Sequence, residues 1–198
     1  MMNQPYNVFA STIIHLLEEL EIDYAVGGSF ASSMYGESRS SVDIDISIFL
    51  PHEKLNSFVH AVEKLGYYVT WDSILDAIIW KTPFNVIDAT TGLKADFFLV
   101  EQTTPLEQSI FQRRQRLVYD PKTGDSAILY SPEDVIIYKL KWYMEGRMEK
   151  HPRDIGAMLL AQGDALDLEY VAYWVNEIGA QDIWEKILAD YQRRLGER

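Results

Sequence analysis

Apolar positions in this chain recur with two different periods, and the switches between them outline its elements. From Asn7 to Leu20, Val8, Ile13, Ile14, Leu16, Leu17 and Leu20 fall at near-helical spacing and predict a first amphipathic helix. Tyr24 to Val26 begins a strand that Gly27-Gly28 breaks. Ser29 then caps a helix through Tyr35, and Gly36 ends it. After a polar loop from Glu37 to Ser41, Val42 to Phe49 alternates as a strand. Pro51 opens the next helix, with Leu55, Phe58, Val59, Val62 and Leu65 as its buried stripe and Gly66 as its stop. Tyr67 to Trp71 reads as a strand, and Ala77 to Trp80 as another short one.

Phe84 to Ala89 and Leu93 to Val100 form a hairpin around Thr90-Thr91-Gly92. Thr104 to Arg113 reads as helix. Arg116 to Tyr119 and Ser126 to Tyr130 form a last strand pair around the Asp120–Gly124 turn. At Ser131-Pro132-Glu133-Asp134, a helix-start signal, the pattern changes. Only helical periodicity follows: Pro132 to Tyr143, Arg153 to Ala161, Asp167 to Ile178 and Gln181 to Leu195. The expected class is α+β. An α/β core with a mixed sheet and flanking helices spans 1–130, and a helical region packed on it spans 131–198.

The chemistry concentrates between Tyr24 and Ile48. Asp43 and Asp45 are separated by one apolar residue, and positions two apart on a strand share a face. Two carboxylates about 5–7 Å apart on a strand suit a hard divalent cation such as Mg2+. Gly27, Gly28 and Ser29 lead into a helix whose free N–H groups form a seat for phosphate. Metal ligands beside a phosphate seat suggest phosphoryl or nucleotidyl transfer. A two-metal mechanism needs a third carboxylate. Asp96 is preferred because it lies inside an apolar strand with Lys94 on the same face, and Asp88, at a strand end, competes with it.

Composition narrows the partners. A net charge of −12 disfavours an extended DNA duplex, and leaves a small-molecule acceptor, a protein or a short RNA end. Arg113, Arg114 and Arg116 form one basic cluster, and Lys139, Lys141, Arg147, Lys150 and Arg153 another; each is either a local patch for a short RNA end or, the favoured reading, a solvated helix face. With no cysteine, disulfides and zinc–thiolate sites are excluded. His15, His52, His60 and His151 show no ligand spacing. The N-terminal stretch lacks the pattern of a signal peptide and no run approaches the ~20 apolar residues of a membrane span, so a cytoplasmic location is expected.

The segment GGSFASSMYGESRSSVDIDI resembles the signature of the nucleotidyltransferase superfamily with the DNA-polymerase-β-like fold. Within it, the chain is most similar to the compact bacterial branch of AbiEii-type toxins and small transferases. The resemblance covers roughly Asp23 to Leu160. It implies that Gly28 and Ser29 contact a triphosphate, that Asp43 and Asp45 bind Mg2+ (two ions, with Mn2+ as a substitute), and that Lys94 and Asp96 match a lysine-x-aspartate strand. Lys139 would reach the phosphates from the first C-terminal helix, and Arg39 matches a basic residue often found before the metal strand. Where the toxins carry two aspartates three apart on a helix, this chain has only Asp154. The implied activity is transfer of NMP from an NTP, ATP among the donors, to a hydroxyl with release of pyrophosphate. The alternative is a non-catalytic nucleotide-binding or toxin–antitoxin partner module, with a cognate antitoxin or a second copy as its partner.

Overall fold

The computed structural model describes residues 4–37 and 41–196. The chain divides into two compact units, Met1–Phe30 with Arg39–Leu129, and Ala31–Ser38 with Tyr130–Arg198.

The first unit is built on a mixed six-stranded sheet in the order β3-β4-β2-β1-β6-β5. Its strands are β1 (Asp23–Val26), β2 (Asp43–Phe49), β3 (Phe84–Ile87), β4 (Lys94–Leu99), β5 (Gln115–Asp120) and β6 (Asp125–Leu129). β2 pairs antiparallel with β1 and parallel with β4. β3–β4 and β5–β6 are antiparallel, as the turn residues between them predict. α1 (Gln4–Glu19) precedes the strands, and in chain order α2 (Gly28–Tyr35, only its first residues in this unit), α3 (Leu55–Lys64), α4 (Trp71–Trp80) and α5 (Pro105–Arg113) fall between them. Alternation sends Ile44, Ile46, Ala95, Phe97, Phe84 and Val86 into the core, all of them buried. Phe58 of α3 meets the Phe84 and Phe97 rings edge-on at 5.9 and 5.5 Å, while those two rings stack at 5.1 Å. α5 carries a full capping box from Thr104 and Glu107.

Several elements depart from the sequence expectation. Ala77 to Trp80 is the C-terminal part of α4 and not a strand. Its β-branched run resembles a strand, but Thr70 accepts a hydrogen bond from the Ser73 N–H and starts a helix, and Ile74 and Ala77, three apart, supply the buried face. Ile79 and Trp80 are left 63% and 72% exposed. Tyr67 to Trp71 is reduced to one bridge, Tyr68 with Ile87, because Thr70 is already the cap. Pro51 precedes a short 3₁₀ turn, and α3 proper begins at Leu55. Val8, Val42 and Leu65, expected within buried stripes or strand, are exposed.

The second unit contains α6 (Pro132–Gly146), α7 (Lys150–Gln162), α8 (Leu168–Glu177), α9 (Gln181–Gly196) and most of α2. Ser131 caps α6 as its sequence predicts, accepting from the Asp134 N–H and donating to the Asp134 carboxylate. Tyr170 donates to the other oxygen of that fully buried carboxylate at 2.7 Å, and Glu133 accepts from the Asp167 N–H. These bonds join the start of α6 to the start of α8. Tyr35 donates to the Tyr130 carbonyl and Gln162 to the Tyr35 carbonyl, which fixes the end of α2 among the helices of this unit. Among the described residues, no helix is long and apolar enough to cross a membrane.

Candidate active site

The sheet face opposite the core collects the polar side chains of three adjacent strands. β2 alternates so that Asp43 and Asp45 are half-buried while Ile44 and Ile46 are fully buried. β4 does the same with Lys94 and Asp96 around buried Ala95. The parallel register sets Asp43 opposite Lys94 and Asp45 opposite Asp96. Paired residues of adjacent strands project to the same face, so the four groups expected from the sequence form one cluster.

Lys94 holds that cluster together. Its Nζ lies 2.7 and 2.5 Å from the two oxygens of Asp96 and 3.9 Å from Oδ2 of Asp43. Burial works against the ammonium. Its hydrogen bond to Asp96 and the charges of Asp96, Asp43 and Asp45 outweigh that effect and hold its pKa above the usual lysine range. Without this internal counter-ion, three carboxylates on one face would repel one another.

Backbone contacts position the carboxylates further. The Gly27 N–H donates to the Asp45 carbonyl at 2.9 Å, which ties the glycine turn to β2. Gly28 opens α2 with φ +56°, a conformation that favours glycine. A Cβ placed there would stand 1.7 Å from Oδ2 of Asp45 and 2.8 Å from its Cβ. Ser29, buried in the first turn of α2, follows directly. Gly27, Gly28 and Ser29 thus lie against Asp45, with the helix N-terminus beside its carboxylate, a favourable charge–dipole arrangement.

Three residues not anticipated from the sequence complete the surroundings. Ser41 donates to Oδ1 of Asp43 at 2.6 Å, and the Tyr6 hydroxyl of α1 donates to the Asp43 carbonyl at 2.9 Å. Asn85, paired in register with Asp96, donates to Oδ1 of Asp96. The signal for Asn85 was present as a lone polar residue in the apolar alternation Phe84-Asn85-Val86. Tyr6 has its phenol held well above the ordinary value of 10.0, first by burial and then by the charges of Asp45 and Asp43.

Three candidates remain. Asp88 closes the β3–β4 turn by accepting from the Thr90 N–H and the Thr91 hydroxyl. Lys139 belongs to the second unit, where it is 4% exposed and its Nζ is 2.7 Å from Oδ2 of buried Asp154, linking α6 to α7. Arg39 lies outside the described residues.

Among the described residues, no three acidic or histidine side chains stand together as a ready metal cage. The donor set nevertheless suits one particular ion. Mg2+ is typically held by one or two carboxylates plus substrate phosphates, not by a cage of protein ligands. Asp43 and Asp45 supply such a pair of hard oxygen donors, and the ammonium of Lys94 shows that the cluster already accommodates a cation. The residues therefore fit Mg2+.

No protein-family model and no curated protein matches the chain. Solved structures share its fold. The antibiotic-resistance factor ANT(2'')-Ia in complex with adenylyl-2''-tobramycin is 14% identical over 90% of this chain and 99% of its own, with a TM-score of 0.59. An antigenic nucleotidyltransferase-like protein from Paracoccidioides brasiliensis is 18% identical, with 92% and 91% covered and a TM-score of 0.54. The lincosamide antibiotic adenylyltransferase LnuA, with lincomycin bound, is 14% identical over 79% of this chain and 96% of its own, with a TM-score of 0.51.

Proposed function

We propose that this chain is a Mg2+-dependent nucleotidyltransferase that moves NMP from an NTP to a hydroxyl of a small-molecule acceptor. The observation that carries the reading is the in-register placement of Asp43 and Asp45 beside Lys94 and Asp96, with the Gly27-Gly28-Ser29 turn against Asp45. The shared fold of the solved nucleotidyltransferases supports it.

In the reaction, the acceptor oxygen forms a bond to the α-phosphorus and the bond to the β-phosphate oxygen breaks, releasing pyrophosphate. Mg2+, when bound by Asp43 and Asp45, supplies charge neutralisation for the triphosphate and the leaving pyrophosphate. The N–H groups at the start of α2, with Ser29, orient the phosphates. Asp96 takes the acceptor proton and passes it to water. Lys94 bridges Asp96 and Asp43 and screens their mutual repulsion, and Asn85 and Ser41 keep the two carboxylates oriented. Lys139 we assign to the buried tie with Asp154, since reaching a phosphate would require breaking that pair.

Two observations support a small-molecule acceptor. The net charge of −12 suits a cationic or neutral partner better than a polyanion, and two structural neighbours carry an antibiotic or its adenylyl product. ATP is the donor to test first. The chain, α-labelled NTPs and Mg2+ should be incubated separately with tobramycin, lincomycin, total RNA and a cell lysate. Label should move to a small hydroxylated acceptor, and Asp43→Asn and Asp45→Asn should abolish transfer. Label on protein or RNA alone would point instead to a toxin of the AbiEii type. Absence of NTP binding with Mg2+, or unimpaired transfer by Asp43→Asn, would end the proposal.

A further inference from the structure

A cavity of about 350 Å³ opens within the helical unit, and none of Asp43, Asp45, Lys94 or Asp96 lines it. Its walls come from the end of α6, the first turns of α7 and one face of α9. Four cations, Arg147, Arg153, Lys186 and Arg194, line it against two carboxylates, Glu149 and Asp190. That is a local excess of positive charge in a chain whose net charge is −12. Asp190 is already engaged: Arg194 Nε lies 2.9 Å from it, and Arg193 binds its other oxygen. Arg153 and Lys186 form no ion pair among the described residues, so their charge is directed at the cavity and solvent. α7 also begins with no side chain capping it, which adds the positive end of its dipole.

The rest of the lining is not that of a plain anion trap. Tyr143 and Tyr191 also line the cavity, and the Arg147 guanidinium lies 5.4 Å from the Tyr143 ring centroid. Ile183 and Ile187 supply an apolar floor. Gly156 contributes bare backbone: a Cβ added there meets nothing within 4 Å, and its φ is not in the left-handed region. No packing inside the protein therefore requires glycine at that point. The cavity volume falls in the range of small-ligand pockets.

We infer that this cavity binds a phosphorylated small molecule carrying a flat ring, of nucleoside-monophosphate size. Arg153 and Lys186 take the phosphate, Tyr143 and Tyr191 flank the ring, and Glu149 accepts from a hydroxyl or amino group. The concave shape and the two lining carboxylates disfavour a nucleic-acid strand, which needs an open basic track. This site is independent of the transfer reaction proposed above.

The test is calorimetric titration of an Asp43→Asn/Asp45→Asn chain in EDTA, so that the sheet site is disabled, with AMP, ribose 5-phosphate, inorganic phosphate, adenosine and a short single-stranded RNA. AMP should bind with 1:1 stoichiometry, and adenosine should bind about tenfold or more weakly, the loss expected for one charge-assisted contact. Ribose 5-phosphate binding as well as AMP would assign the site to sugar phosphates and overturn the requirement for a flat ring. In R153A/K186A, AMP affinity should fall by about tenfold or more with an unchanged melting temperature, because both side chains are exposed. Gly156→Leu should block AMP by filling the cavity while leaving the fold intact. No AMP binding, AMP binding that neither variant changes, or RNA binding more tightly than AMP through Arg153 and Lys186 would each overturn the inference.

Discussion

Replacing Gly28 by alanine isolates the contact on which the candidate site turns. Two costs are expected. An L-residue held at φ +56° costs about 1–2 kcal/mol. The new Cβ would lie 1.7 Å from Oδ2 of Asp45 and 2.8 Å from its Cβ, so the carboxylate and local backbone must shift. Overpacking of that kind costs about 1–3 kcal/mol. A central sum of about 3.5 kcal/mol corresponds to a melting temperature lower by roughly 7–14 °C in a chain of this size. Displacing Asp45 by about 1 Å should lower turnover by roughly 100-fold, far beyond the fraction unfolded at 25 °C. The decisive measurement is a double-mutant cycle in urea. In an Asp45→Ala background the clash with the carboxylate disappears and only the backbone strain and a contact with the alanine Cβ remain. Gly28→Ala should then cost about 1–2 kcal/mol less than in the parent. If the two costs agree within about 0.5 kcal/mol, Gly28 is not selected by its approach to Asp45 and the packing account fails.

Further perturbations test other parts of the chain. Asp154→Ala removes the buried carboxylate that pairs with Lys139 and should cost about 3–5 kcal/mol by chemical denaturation, whereas Lys139→Met with Asp154→Leu should recover most of that loss. Tyr170→Phe deletes one donor to the buried Asp134 carboxylate and should cost about 1.5–3 kcal/mol, with equal loss after Asp134→Asn arguing against that assignment. Tyr6, Tyr24 and Tyr35 all have phenols held above 10.0, in each case first by burial. A folded-state pKa above the unfolded one means that their contribution is complete below pH 10 and is lost as pH rises toward the folded values. Stability should therefore fall above pH 10 by up to about 1.4 kcal/mol per pH unit for each phenol, and the triple phenylalanine variant should flatten that slope. Lys94, also raised, adds in the same direction above its ordinary 10.5.

The parts of the site that follow alternation were legible in the sequence. Asp43, Asp45, Lys94 and Asp96 announce themselves as charges at period two between buried apolar residues, and Gly27-Gly28-Ser29 as a break before a helix. Ser131-Pro132 marked the start of α6 because capping is local chemistry. What the sequence could not convey was pairing at a distance. That Asp45 stands opposite Asp96 depends on a crossover through α3, α4 and β3, and nothing in either strand alone sets that register. The same holds for Lys139, whose motif position suggested phosphate while its partner in the structure is Asp154, 15 residues on. α4 was misread because Ala77 to Trp80 is apolar on every side, so its exposed face erased the periodicity that separates helix from strand.

The location of β2 and β4 inside the sheet has a consequence for how the protein should fail. Each has a hydrogen-bonded neighbour on both sides, β1 and β4 for β2, and β3 and β2 for β4. Amide protons of such strands exchange only through the largest opening events available to their unit. The amides of Ile44, Asp45, Ala95 and Asp96 should thus be among the slowest in the sheet unit to take up deuterium, and those near the edge strand β5 among the fastest. Carboxylates mounted on the last segments to open stay aligned while loops and helix ends fray. Heat should accordingly extinguish the transfer activity proposed for this chain together with sheet melting, not ahead of it.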